Sequence, residues 1–123
     1  MARIDKYDPK SGGFRAPLAG TWAGSATPIG VGLDSNGRVV AGAGQTGIVG
    51  VLCKPDAAAA LDIVDIMTHG ELVEFSGAAG TRYTALTTTG AIASTAADAT
   101  HIQVGYTVEA TRLVVRVSAS KGF

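Results

Sequence analysis

Short apolar segments alternate with polar and glycine-rich positions along this chain, and the pattern occurs twice. The first occurrence runs from Pro28 to about Met67, and the second runs from Tyr83 to Val117. In each, two strand-like segments flank a glycine-centred turn, and a Val-Gly step precedes a final valine-rich segment. Three matched pairs are each 53 residues apart: Leu33 with Leu86, Gly37 with Gly90, and Val39 with Ile92. Further along, Val49-Gly50 matches Val104-Gly105, and Val64–Ile66 approximately matches Val115–Val117. This duplication predicts a barrel or a sandwich and indicates no chemistry.

The segments have the length and composition of β-strands, so the sequence predicts an all-β domain. Asn36-Gly37 suits the positive φ angles of a tight hairpin. The four alanines after Pro55-Asp56 are compatible with one helical turn or with a loop. In the last segment, Leu113, Val115 and Val117 are expected to face inward. The predicted strands are Pro28–Leu33, Arg38–Ala41, Gly47–Leu52, Leu61–Thr68, Glu71–Phe75, Tyr83–Thr87, Ala91–Ser94, His101–Thr107 and Arg112–Ser118.

Residues 1–24 are predicted to form an extended arm, and residues 25–123 a β-barrel body. Two X-Pro steps, Asp8-Pro9 and Ala16-Pro17, favour extended backbone. Ordering the arm costs about 1–2 kcal/mol per residue, while each large apolar anchor returns only about 2 kcal/mol. An ordered arm therefore also needs backbone pairing, such as strand addition to a sheet edge. The anchors either fold back on the body's own core or dock onto another subunit, and docking is the hypothesis adopted for Tyr7, Pro9, Phe14, Arg15, Pro17, Leu18 and Trp22.

Composition narrows the possible functions. The 123 residues suffice for one core, and 10 Lys+Arg balance 10 Asp+Glu, so no global basic field favours nucleic acid. Residues 1–21 carry a net charge of +2 and the remainder −2, which predicts a basic arm on a mildly acidic body. Cys53 is the single cysteine, so no internal disulfide forms. We expect no signal peptide, no membrane segment, and a protein made in a reducing cytoplasm.

A glycine-rich motif resembles a dinucleotide-binding loop only in its spacing. Gly42–Gly47 has the spacing G-x-G-x-x-G and follows an apolar segment. Pyrophosphate binding requires a helix N-terminus directly after the glycines. The next residues, Ile48–Leu52, have the composition of a strand. We therefore expect a loop between two strands and no cofactor.

The residues that could support catalysis or metal binding are dispersed. His69 and His101 lack partners at metal-ligand spacing, and Cys53 is remote from both in sequence. Glu71 and Glu74 would point to opposite faces of a strand, which makes them surface charges. No nucleophile-elbow sequence is present. The sequence therefore predicts no catalytic, cofactor or metal site, and a protein that is not an enzyme.

Several segments together resemble the capsid decoration (cement) proteins of tailed bacteriophages, whose domain is a small β-barrel or β-tulip. The resemblance covers about residues 28–118, and Tyr106-Thr107 departs from it, because small residues usually follow the glycine there. The segments that carry it are Gly47–Leu52, Asp62–Gly70, Tyr83–Thr89, His101–Tyr106 and Leu113–Val117.

This resemblance implies a structural virion protein on the outer surface of an icosahedral capsid, assembled in the host cytoplasm. Its expected partners are the major capsid protein and two further copies of itself in a homotrimer, with no direct nucleic-acid or membrane contact. The arm residues named above would bind the capsid or a neighbouring subunit. The alternatives are another virion β-barrel component, such as a head–tail connector, tail or spike-base protein, and a carbohydrate-binding attachment module.

Overall fold

The structure is a computed structural model that describes residues 12–73 and 75–117. Those residues contain no helix and ten strands, all paired antiparallel in two five-stranded sheets. The predicted all-β class is therefore confirmed. The strands are β1 (Gly13–Pro17), β2 (Ile29–Leu33), β3 (Val39–Ala41), β4 (Gly50–Leu52), β5 (Ile63–Met67), β6 (His69–Leu72), β7 (Arg82–Leu86), β8 (Ile92–Ala93), β9 (His101–Glu109) and β10 (Arg112–Arg116).

The two sheets repeat one topology. The strand order is β1-β5-β4-β2-β3 in sheet 1 and β6-β10-β9-β7-β8 in sheet 2. Each strand of sheet 1 has the same place in the order as the strand of sheet 2 whose number is higher by five, so that β1 corresponds to β6 and β5 to β10. The duplication read from the sequence is confirmed, and it also includes β1 and β6, which the sequence pattern did not match. Each half of the chain therefore builds one sheet.

The predicted alignment of the last strands is shifted by two residues. Val64 and Ile66 are buried in β5, and Leu113 and Val115 are buried in β10. The buried positions therefore correspond at an offset of 49 residues, whereas the sequence comparison placed Val64–Ile66 opposite Val115–Val117. A shift of two keeps every side chain on the same face, so the hydrophobic pattern could not separate the two alignments.

Sheet 1 closes into a small barrel. Just beyond β1, Leu18 forms a parallel bridge with Val39 of β3, and the Ala19 N–H donates to the Val39 carbonyl at 3.0 Å. The two edges of the sheet are joined there, and alternate side chains of each strand fill the interior. The interior residues are Ala16, Leu18, Val31, Val39, Leu52, Val64 and Ile66.

A second core lies between the barrel and sheet 2. Ile48 and Val51 contribute to it from the first half of the chain, with Met67 packed against it. Val51 faces this core while its neighbour Leu52 faces the barrel interior, because successive side chains of a strand point to opposite sides. Sheet 2 supplies Tyr83, Ala85, Val104, Leu113 and Val115.

The two halves also meet through backbone at two glycines. The Gly30 N–H donates to the Gly90 carbonyl at 2.8 Å, and nearby the Ala43 N–H donates to the Thr87 carbonyl at 2.8 Å. A Cβ atom at Gly90 would lie 2.1 Å from the Gly30 oxygen. Only residues without side chains permit this close approach.

The described part of the predicted arm belongs to the body. Residues 13–17 form β1, which pairs with β5 along its whole length. The predicted boundary at residue 24 therefore does not separate an arm from the barrel, because β1 and Leu18 complete the barrel. The backbone pairing that the energetic argument required is present, but β1 makes it within its own chain. The alanines after Asp56 are not helical, and Ala58 exchanges two backbone hydrogen bonds with Trp22, at 2.8 and 2.9 Å.

Candidate interaction surfaces

Three of the predicted docking anchors lie in or against the barrel's own core. Leu18 is 2% exposed inside the barrel, and Phe14 and Trp22 pack against the same cluster. The Trp22 indole N–H also donates to the Lys54 carbonyl at 2.9 Å. The hypothesis that these three side chains dock onto another subunit is replaced by one in which they hold β1 to the body. Tyr7 and Pro9 lie outside the described residues.

Arg15 and Pro17, the other two predicted anchors, are not part of the barrel interior. The Arg15 Nε–H donates to Asp65 Oδ1 across the β1–β5 pair at 2.9 Å, and the two side chains are 70% and 79% exposed. Such an exposed ion pair contributes about 0–1 kcal/mol to stability. Pro17 is half-buried opposite Ile63 in the strand register. Pro17 belongs to the first exposed apolar surface, and Arg15 lies beside it.

That surface, which we call the Ile63 patch, consists of Pro17, Leu61, Asp62 and Ile63. Leu61 is 55% exposed and Ile63 is 58% exposed. The Leu61 N–H donates to the Leu18 carbonyl at 2.9 Å, and Asp62 Oδ2 accepts the Ala59 N–H at 2.9 Å. Leu61 is also the one non-glycine residue of the described chain with positive φ, at 72°. The backbone therefore holds two large apolar side chains toward solvent beside a carboxylate.

A second surface, which we call the Tyr106 patch, lies on the outer face of sheet 2 and consists of Arg82, Tyr106, Val108 and Arg116. Tyr106 is 44% exposed and Val108 is 50% exposed. Tyr106 lies opposite Arg82 of β7 in the strand register. Among the described residues, none of the ion pairs uses Arg82 or Arg116. The patch therefore combines apolar area with two cationic groups that have no acidic partner in the described chain.

Arg112, on the neighbouring strand, is neutralised by contrast. Its guanidinium donates to Glu71 Oε1 at 3.2 Å and to Glu109 Oε1 at 3.3 Å. The two carboxylates come from β6 and β9, so the triad joins three adjacent strands. The triad ties three strands together and has one carboxylate in excess, and the unpaired positive charge of the outer face comes from Arg82 and Arg116.

Two of the residues considered for chemistry, Cys53 and His69, line one open pocket beside β1, whereas His101 begins β9. Within residues 12–73 and 75–117, no group of three His, Cys, Asp or Glu side chains could hold a metal ion. The glycine motif lies between β3 and β4, and a strand follows it, as predicted. Cys53 is a free, exposed cysteine. No helix of the described chain is long and apolar enough to cross a membrane.

The carboxyl group of Asp98 has a lowered pKa. His101 Nδ1 lies 2.9 Å from Asp98 Oδ1, and the Thr100 N–H donates to the same oxygen at 2.9 Å. The hydrogen bond to His101, and then that from the Thr100 backbone, lower the pKa of Asp98 from 3.8 to about 2. This turn anchors the start of β9.

We expect Asp98→Asn to destabilise the protein near neutral pH and to have little effect in strong acid. Because folding depresses the pKa of Asp98, its carboxylate adds stability above about pH 4. That contribution is lost as the pH falls toward 2. Urea unfolding of both proteins at about pH 6 and about pH 2 should show the difference between their midpoints shrinking. A difference between the two midpoints that is equal at both pH values would mean that the Asp98 carboxylate is not the source of this stability.

Comparisons with known proteins add one finding. No family model matches this chain, and no curated protein matches it. A solved structure shares its fold. It is a chain from Mycobacterium phage Patience, superposed with a TM-score of 0.77 at 20% sequence identity. The match covers 98% of this chain and 97% of that chain, so the likeness in fold extends over nearly the full length of both.

Proposed function

We propose that this chain is a structural protein of a tailed-phage virion. In this proposal it binds the outside of an icosahedral capsid as a homotrimer and stabilises the shell by bridging major capsid subunits. The observation that carries the proposal is the fold shared with a phage protein over nearly the full length of both chains. The likeness of the strand pattern to capsid decoration proteins supplies the specific role.

The physical properties of the chain suit a bridging protein. A closed barrel packed on a second sheet gives a rigid body, and the two exposed apolar patches give it surfaces for contact. Three linked copies raise the effective concentration of each further contact, so weak individual contacts suffice. The formal net charge of +0 keeps repulsion low between closely spaced copies.

The capsid contact is assigned to the first eleven residues and the adjacent surface of β1. Phe14, Leu18 and Trp22 are committed to the body's own core and Pro17 lies in the Ile63 patch, which leaves Tyr7, Pro9 and Arg15 from the predicted set. The segment 1–11 precedes β1, an edge strand of sheet 1 along residues 13–17. Its three basic residues, Arg3, Lys6 and Lys10, outnumber its two acidic residues, Asp5 and Asp8, and this net charge of +1 suits an acidic capsid surface.

Deleting residues 2–11 is expected to leave the body folded and to weaken binding to capsid shells by tenfold or more. Losing the burial of Tyr7 alone removes about 2 kcal/mol, which corresponds to roughly thirtyfold in affinity. Cosedimentation with shells of the major capsid protein from the same phage measures the loss. The matched control replaces residues 2–11 by a Gly-Ser segment of equal length, which should bind as weakly as the deletion.

Copy number per particle separates this function from the alternatives. A decoration protein is present in hundreds of copies at three-fold and quasi-three-fold positions, whereas a connector or tail component forms a ring with few copies. Quantitative gel analysis of purified virions, together with imaging, gives this number. A count of about a dozen copies or fewer would contradict the decoration role, because it is the stoichiometry of a ring.

A further inference from the structure

We infer that copies of this chain assemble head to tail, with the Tyr106 patch of one copy seated on the Ile63 patch of the next. The inference deepens the proposed function, because it rests on the proposed homotrimer and names its contact surfaces. The occupant of each patch is therefore a second copy of this chain. Four observations support it.

The first observation is the distribution of exposed apolar side chains. The described residues include five large hydrophobic side chains that are exposed. Four of these fall in pairs in the two patches, as Leu61 with Ile63 and Tyr106 with Val108. Paired apolar residues ringed by polar ones are typical of protein contact surfaces, and tyrosine and arginine are the residue types that contribute most at such contacts.

The second observation is complementary charge. The Tyr106 patch carries Arg82 and Arg116, neither of which has an ion-pair partner among the described residues. The Ile63 patch carries Asp62, and exposed Asp56 lies in the loop that leads to it. Arg15, a cation beside this patch, is already paired with Asp65. Opposite charges around two apolar centres fix the partner and its orientation.

The third observation is that the two patches cannot meet within one molecule. The inner face of sheet 2 packs on the barrel through Val104, Leu113 and Val115. The Tyr106 patch lies on the opposite face and points away from the barrel that carries Ile63. The contact must therefore form between copies. Because two different surfaces meet, the interface is heterologous, and it ends in a closed ring such as a trimer when the rotation closes.

The fourth observation is backbone strain at the centre of the Ile63 patch. Leu61 has a φ angle of 72°, in the left-handed region that glycine adopts far more easily than a branched residue. Its side chain is more exposed than buried, so the isolated molecule gains little from it. Burial of Leu61 under a neighbouring copy offsets the strain, which accounts for a leucine at this position.

Two variants that each break one patch test the inference. Tyr106→Asp and Ile63→Asp should each be monomeric in light scattering at concentrations where the full-length chain is a trimer. An equimolar mixture should form a one-to-one heterodimer and nothing larger. One copy still has an intact Ile63 patch and the other an intact Tyr106 patch, so the pair can make one contact but cannot close a ring.

Val73→Asp is the matched control, because Val73 is 71% exposed and lies outside both patches. It should keep the trimer. Leu61→Gly relieves the strained backbone without adding a charge, so it should fold and still weaken assembly. Circular dichroism verifies that each variant is folded.

The inference is overturned if the full-length chain stays monomeric at all concentrations, if either patch variant remains trimeric, or if the mixture gives no heterodimer. An Ile63→Asp protein that self-associates would indicate a symmetric contact between two Tyr106 patches. Shell binding distinguishes this failure from that of the proposed function. A monomer that still decorates shells would leave the decoration role standing and remove the homotrimer with its head-to-tail contact.

Discussion

Deleting residues 2–22 is expected to prevent the body from folding. The deletion removes β1, the interior side chain Leu18, and Phe14 and Trp22, which pack against the barrel cluster. Burial of these three side chains is worth about 2 kcal/mol each. The sum is comparable with the entire stability of a domain of this size, about 5–15 kcal/mol. The deletion also opens the barrel and leaves an edge of β5 unpaired.

The matched control is the deletion of residues 2–11, which keeps β1 and should unfold as cooperatively as the full chain. Far-ultraviolet circular dichroism during heating is the suitable measurement, because the longer deletion removes Trp22, the only tryptophan. A cooperative transition in the longer deletion at an unchanged temperature would show that β1 is dispensable, contrary to its place in the barrel.

The second large effect is expected for Gly90→Ala, measured against Gly37→Ala. These glycines occupy equivalent turns of the two halves and have almost the same φ angles, 77° and 76°. A Cβ atom at Gly37 meets nothing within 4 Å, whereas one at Gly90 would lie 2.1 Å from the Gly30 carbonyl oxygen. Both alanines carry the strain of a left-handed conformation, and only one also forces the two halves apart.

We therefore expect Gly37→Ala to cost about 1 kcal/mol, which is the strain alone. Gly90→Ala should cost about 2–4 kcal/mol, since displacing packed backbone adds about 1–3 kcal/mol to the strain. Urea unfolding at one protein concentration gives both values, because any assembly then contributes similarly to each. Equal costs would mean that the close approach of Gly30 and Gly90 does not contribute to stability.

Much of the fold could be predicted from the sequence, because strand alternation and turn glycines are local signals. The offset between Gly37 and Gly90 identified the duplication, and most predicted strands lie within a few residues of the observed ones. The role of β1 could not be predicted in this way. Its sequence, Gly-Phe-Arg-Ala-Pro, shares no residue at matching positions with His-Gly-Glu-Leu of β6, so the repeat was not visible there.

The surfaces were less predictable than the core. The anchors near the N-terminus were recognised as important, but amphipathic pattern alone does not show whether an aromatic side chain is buried by its own chain or by another. Leu18 lies inside the barrel because β5, almost 50 residues later in the chain, pairs with β1. Conversely, Leu61 and Ile63 are apolar but exposed, because Leu61 lies in the turn before β5 and Ile63 alternates with the buried Val64.

The division of the chain into two sheets has a consequence during synthesis. Thr68 alone separates β5 from β6, so the barrel can close as soon as residue 67 has left the ribosome. The residues of the second half emerge later, as synthesis continues at about 5–20 residues per second. Until they emerge, Ile48 and Val51 face the solvent, because the side chains that cover them are not yet in place. The nascent chain thus exposes an apolar surface for a time, and its own second half is the nearest segment that can bury it.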